Sequence, residues 1–137
     1  MPAIRRFKVE KLIRDRLPEI MRAQGITAFP RILTDGEYVA QLKLKIVEEA
    51  QEASAARDAD ELLWELADVM EVVRALAAAT GLSLENIERA RLEKRERRGG
   101  FDARVYNTAV DIPADCPQLS YYTDRPDAYP EISPAPH

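Results

Sequence analysis

Residues 34–79 read TDGEYVAQLKLKIVEEAQEASAARDADELLWELADVMEVVRALAAA. Thr34 and Glu37 have the spacing of a capping box, so a helix starts here. Val39, Leu42, Ile46, Ala50 and Ala53 recur every three or four residues, which carries that helix to about Ala56. Arg57-Asp58-Ala59-Asp60 makes a short connection, with Asp58 or Asp60 as the next N-cap. Leu62, Leu66, Val69, Val73 and Leu76 give a second helix, about 60–79, its core stripe. Met70, Val72 and Ala77 flank the stripe, and Gly81 stops the helix. So short a connection makes the two helices antiparallel neighbours.

Acidic residues interrupt both stripes. At about 100° per residue, Glu49 falls on the face of Leu42 and Ala53. Glu52 lies at the edge of that face, and Glu48 lies further out beside it. On the second helix Glu65 falls between Val72 and Leu76, with Asp68 and Glu61 at the margin. Burying several ionised carboxylates together is prohibitive without counter-charge. Mg²⁺ or Mn²⁺ supplies that charge and prefers oxygen ligands. The i, i+3 spacing puts each acidic pair on one helical face, and an antiparallel hairpin brings the pairs together. The competing reading is a solvated charged face, because either pattern alone is common on exposed helices.

Outward from the hairpin, residues 7–16 are a mixed basic and apolar lead-in. Pro18 suits the start of a short helix over about 17–24, which Gly25 ends. Residues 26–33, interrupted by Pro30, read as extended, an edge strand. Ser83 caps a third helix over about 84–98 that becomes strongly charged and breaks at Gly99-Gly100. Residues 101–106 read as a short strand. From Asp111 the chain turns proline-rich, with Tyr121, Tyr122 and Tyr129 and no periodicity, as an extended arm or disordered end does. The expected organisation is one domain over 1–106 and a Pro/Tyr-rich tail over 107–137. The expected fold is mainly α, an antiparallel helical hairpin or bundle with minor extended segments. Two long helices and a shorter one close a core poorly alone, so self-association as a dimer or larger is expected.

Composition removes rival chemistries. The chain has 137 residues, enough for one compact domain. The net charge of −4 argues against a partner that is a nucleic-acid polymer. No apolar run reaches the length of a membrane span, and the basic N-terminus lacks the apolar core of a secretory signal. A single cysteine, Cys116, excludes an internal disulfide and fits a reducing cytoplasm. The one histidine is His137, so neither a Cys/His zinc site nor a Ser-His-Asp triad is available within one chain. The five glycines form no phosphate-binding loop. Carboxylate, lysine and arginine chemistry is left.

The arrangement Glu48-Glu49-x-x-Glu52, twelve residues, then Glu65-x-x-Asp68 resembles the signature of the all-α nucleoside triphosphate pyrophosphohydrolases, the MazG-like superfamily. The flanks Lys11-Leu12-Ile13-Arg14-Asp15-Arg16-Leu17-Pro18-Glu19-Ile20 and Arg98-Gly99-Gly100-Phe101 resemble its phosphoribosyl-ATP pyrophosphohydrolase-like branch. The resemblance spans about residues 7–106 and leaves out the tail. It implies an Mg²⁺-dependent enzyme, with Mn²⁺ as a substitute, that cleaves a nucleotide between its α- and β-phosphates. House-cleaning of non-standard nucleotides is the role it implies. Glu49, Glu52, Glu65 and Asp68 are then the metal ligands. Glu48 and Glu49 are the two candidates for the base that takes a proton from water.

Lys45, one turn before Glu49, either pairs with the acids or touches a phosphate. Lys94, Arg97 and Arg98 are phosphate-binding candidates, and the alternative is a solvated helix end whose cations favour the dipole. Arg14 contacts phosphate, sugar or base, or else makes a structural ion pair. Trp64 points away from the stripe, toward a subunit interface or a second core layer. Three other readings compete with house-cleaning. One is phosphoribosyl-ATP hydrolysis in histidine synthesis, at the same site. Another is a non-catalytic helical oligomer or regulatory binding module. The last is a metal-binding stabiliser without turnover.

Overall fold

The computed structural model describes residues 2–133. The last four residues of the expected tail, including His137, lie outside the described residues, as does Met1. The helices are α1 (Leu17–Ala23), α2 (Asp35–Ser54), α3 (Ala59–Ala79), α4 (Leu84–Arg98) and α5 (Leu119–Thr123). The described residues contain no strand, so the fold is all-α. The chain forms two compact units, Met1–Arg97 and Arg98–His137.

Local chemistry sets the helix ends. Glu37 N–H donates to Thr34 Oγ1 at 3.3 Å, and Thr34 N–H donates to Glu37 Oε1 at 3.1 Å. This reciprocal pair is the expected capping box. Asp58 caps α3 by accepting from Glu61 N–H at 2.9 Å. Ser83 and Asn86 exchange the same kind of bonds at 3.1 Å each at the start of α4. Gly25 and Gly81 follow α1 and α3 with φ of 81° and 78°. At both ends the next residue donates back into the last turn, Ile26 to Met21 and Leu82 to Ala77, a C-cap that requires a left-handed residue.

In the first unit, α2 and α3 make the one extensive helix–helix packing among the described residues. Leu42, Val72 and Ala77 are its buried apolar residues, and Glu49 is buried with them. The expected stripe of α3 is only partly inside. Val69, Val73 and Leu76 are half-buried, but Leu62 and Leu66 are exposed, Leu66 by 50%. The reason is breadth. The apolar surface of α3 exceeds one face, and α2 covers only the side that carries Glu65, Asp68 and Val72. Leu44 and Val47 on α2, and Trp64 and Met70 on α3, are also exposed.

Two segments expected to be extended carry no strand. Residues 26–33 find no strand to pair with, and Pro30 removes a donor. Phe101–Ala103 form a turn instead, closed by Arg104 N–H donating to the Phe101 carbonyl at 3.1 Å. In the second unit, α5 gathers the tail aromatics. The rings of Tyr121, Tyr122 and Tyr129 stand 5.0–5.6 Å apart, and the Arg125 guanidinium lies 4.4 Å from the Tyr121 ring. These contacts join residues one, four, seven and eight positions apart, and most reach beyond the five-residue α5, so no sustained period announces them.

Candidate metal centre

α2 carries Glu48, Glu49 and Glu52, and α3 carries Glu65 and Asp68. One carboxylate oxygen from each of Glu49, Glu65 and Asp68 lies within 4.8 Å of the other two. Oxygens around an octahedral Mg²⁺ stand about 3–4 Å apart, close to this spacing. Glu49 is only 8% exposed. Its Oε2 and that of Glu65 are buried with no hydrogen-bond partner. Two orphaned acceptors on residues of one cluster are costly in a folded chain unless a ligand meets them.

The electrostatics agree with the geometry. Burial pushes the Glu49 carboxyl above the usual carboxylate range, and the charges of Asp68 and Glu52 push it further. Burial likewise raises Glu65, aided by the neighbouring Glu52. Glu52 is exposed, so it stands at the rim of the cluster. Glu48 behaves oppositely. A hydrogen bond from Lys11 holds it below the usual range.

Three cations answer these acids. Lys45 Nζ lies 3.4 Å from Glu48 Oε2 and 3.6 Å from Glu49 Oε1. Lys11 Nζ lies 3.1 Å from Glu48 Oε1, and Arg14 Nη2 lies 2.6 Å from Asp68 Oδ1. Five carboxylates thus meet three cations, and two negative charges are left over. That surplus matches one divalent ion. The donor set is all oxygen, which suits Mg²⁺ or Mn²⁺ rather than a thiolate-seeking metal.

Lys11 was invisible to sequence reasoning as a site residue. It is 37 positions from Glu48, and no local rule links the two. One local signal does attend it. Glu10 has φ of 49°, a left-handed conformation that costs a non-glycine residue about 1–3 kcal/mol. The turn at Glu10 leads directly into the residues that reach Glu48 and Asp68.

Other expected residues stand apart. Glu61 is spent at the start of α3, where it accepts from Arg57 N–H at 2.7 Å and pairs with the Arg57 guanidinium. Arg97 pairs with Glu93 at 3.3 Å on its own helix. No ion pair among the described residues joins Lys94 or Arg97 to the carboxylates of α2 and α3. Arg98 begins the second unit.

An uncharacterised protein of Mycolicibacterium smegmatis is 47% identical over 53 residues, which are 39% of this chain and 54% of that protein. The histidine biosynthesis trifunctional protein of Kluyveromyces lactis is 34% identical over 83 residues, 61% of this chain and 10% of that protein. The chain therefore spans about half of the first relative and a small part of the second. No solved structure matches it significantly. The profile of the phosphoribosyl-ATP pyrophosphohydrolase family matches residues 8–96. With its acidic hairpin inside that match, the chain belongs to the phosphoribosyl-ATP pyrophosphohydrolase family, whose all-α fold is of MazG-like type.

Proposed function

We propose that this chain is a divalent-metal-dependent nucleotide pyrophosphohydrolase, with phosphoribosyl-ATP as its favoured substrate. The carrying observation is the pair of buried, unpartnered oxygens on Glu49 and Glu65, inside a cluster with two surplus negative charges. Family membership and the histidine-biosynthesis relative support the choice of substrate over general house-cleaning. The second reading, hydrolysis of non-standard nucleoside triphosphates, rests on the resemblance of the Glu48-Glu49-x-x-Glu52 and Glu65-x-x-Asp68 spacing to the MazG-like superfamily.

In this reading Glu49, Glu65 and Asp68 hold the ion, and Glu52 closes the set from the rim. Bound Mg²⁺, or Mn²⁺ in its place, supplies charge for the phosphate oxygens and acidity for water. Water attacks the α-phosphorus, and the bond to the bridging oxygen breaks to release pyrophosphate. Glu49, inside the cluster, is the proton acceptor in this reading. It has two oxygens for its two roles. Glu48, kept ionised by Lys11, is the poorer base and instead anchors Lys11 and Lys45. Arg14 and Lys45 stand nearest the incoming phosphates. Lys94, Arg97 and Arg98 are phosphate-binding candidates on the strength of segment resemblance alone.

The catalytic domain is residues 1–106, with 107–137 appended to it. The exposed apolar surfaces of α2 and α3 support self-association as a dimer or larger. No helix among the described residues is long and apolar enough to cross a membrane, which is compatible with a cytoplasmic site of action. The test is a pyrophosphate-release screen with Mg²⁺ over phosphoribosyl-ATP and standard and modified triphosphates. Preferred release from phosphoribosyl-ATP is expected. Preference for a modified triphosphate selects the second reading, and no release from any nucleotide overturns the enzyme assignment.

A further inference from the structure

A groove of about 220 Å³ runs between the turn at Glu10 and α2. Leu12, Leu44 and Gln41 line it with Lys11, Lys45 and Glu48. The charged residues connect it to the acidic cluster, because Lys45 Nζ lies 3.6 Å from Glu49. Gln41, Lys45 and Glu48 follow one another at spacings of four and three, so they share one face of α2. At 1.5 Å per residue, Gln41 lies about 12 Å along the helix from Glu49. A nucleotide whose α-phosphate sits on the carboxylates and whose base lies in this groove runs along α2 between the two.

Size and chemistry narrow what fits. Sites for whole drug-sized ligands measure about 300–1,000 Å³, so this groove takes one end of a nucleotide and not all of it. Its two cations are already engaged, since Lys11 and Lys45 both contact Glu48, and Glu10 adds a further carboxylate to the lining. Leucine side chains suit the flat face of a heterocycle. The Gln41 amide is half-buried and makes no hydrogen bond among the described residues. It offers donors and an acceptor in one plane, which match the adjacent N6 donor and N7 acceptor of adenine. Binding by that edge leaves the rest of the ring free for a further substituent, as phosphoribosyl-ATP requires.

We infer that this groove is the nucleobase subsite and that Gln41 reads the N6/N7 edge of an adenine. The inference rests on the nucleotide reading of the acidic cluster. It assigns Gln41 to specificity and not to bond cleavage.

The experiment is calorimetric binding to the full chain with Mn²⁺ present. The probes are α,β-methylene ATP, α,β-methylene GTP and inorganic tripolyphosphate, compared for wild type, Gln41→Leu and Gln41→Met. Wild type is expected to bind the ATP analogue more tightly than the GTP analogue or tripolyphosphate. Both variants should weaken the ATP analogue roughly tenfold, the loss of one or two hydrogen bonds, and leave tripolyphosphate unchanged. Equal weakening of all probes, no change in either variant, or no wild-type preference for the ATP analogue overturns the inference. Failure of the hydrolase reading looks different: the adenine preference depends on Gln41, yet no nucleotide releases pyrophosphate.

Discussion

The α2–α3 face and helix α4 are both rich in charge, and they use it in opposite ways. On α4 the pairs are local: Arg89 with Glu85, Arg91 with Glu88 and Arg97 with Glu93, three or four residues apart and exposed. On α2–α3 the pairs Lys11–Glu48 and Arg14–Asp68 join residues 37 and 54 positions apart. There the acids outnumber their cations, and two oxygens have no partner. Charge density alone therefore marks nothing. A site is marked by charge that is buried, unbalanced and assembled from distant parts of the chain.

The largest expected effect comes from removing the unbalanced charge. Glu49→Gln should lower pyrophosphate release by about 100-fold or more, measured as kcat at saturating Mg²⁺. Without metal, the same change should raise Tm, because it removes a buried ionised carboxylate whose Oε2 has no partner. A fall in metal-free Tm shows that Glu49 is stabilising by itself and erases the contrast with α4.

Next is the double change Glu52→Gln with Asp68→Asn. It should weaken Mn²⁺ binding by at least about 10-fold, a size typical of lost or misoriented carboxylates at a metal. Unchanged affinity places the ion elsewhere.

A smaller effect is expected at the N-terminus of α2. A hydrogen bond from Arg31 and the Thr34 cap lower the Glu37 pKa from 4.5 to about 2. The unfolded chain then binds this proton more readily between those values. The contribution is full above pH 4.5 and is lost as pH falls toward 2. Arg31→Ala should flatten this part of the acid-unfolding curve.

The smallest effect belongs to α4. Glu88→Gln should leave both turnover and Tm nearly unchanged, within about 1 °C, since exposed helical pairs are close to neutral. A large loss there means that α4 is buried against a second copy of the chain.

The hairpin was readable because its information is local. Thr34 with Glu37, the Asp58 cap, and Gly25 and Gly81 each act within one turn of a helix. Helical phase also placed Glu49 inside and put Glu65 and Asp68 on the side facing α2. What could not be read was relational. Leu62 and Leu66 fit the period as well as Val72 does, and only the width of α2 decides which of them it covers. Lys11 finds Glu48 through the tertiary path of residues 2–16. The tyrosine cluster around α5 arises from packing with no sustained period.

The most direct test of the metal centre is Mn²⁺ titration of wild type and Glu49→Gln at neutral pH, followed by calorimetry. Saturable binding to wild type that is lost in Glu49→Gln is the predicted result. Equal binding by both proteins, or none by wild type, contradicts it.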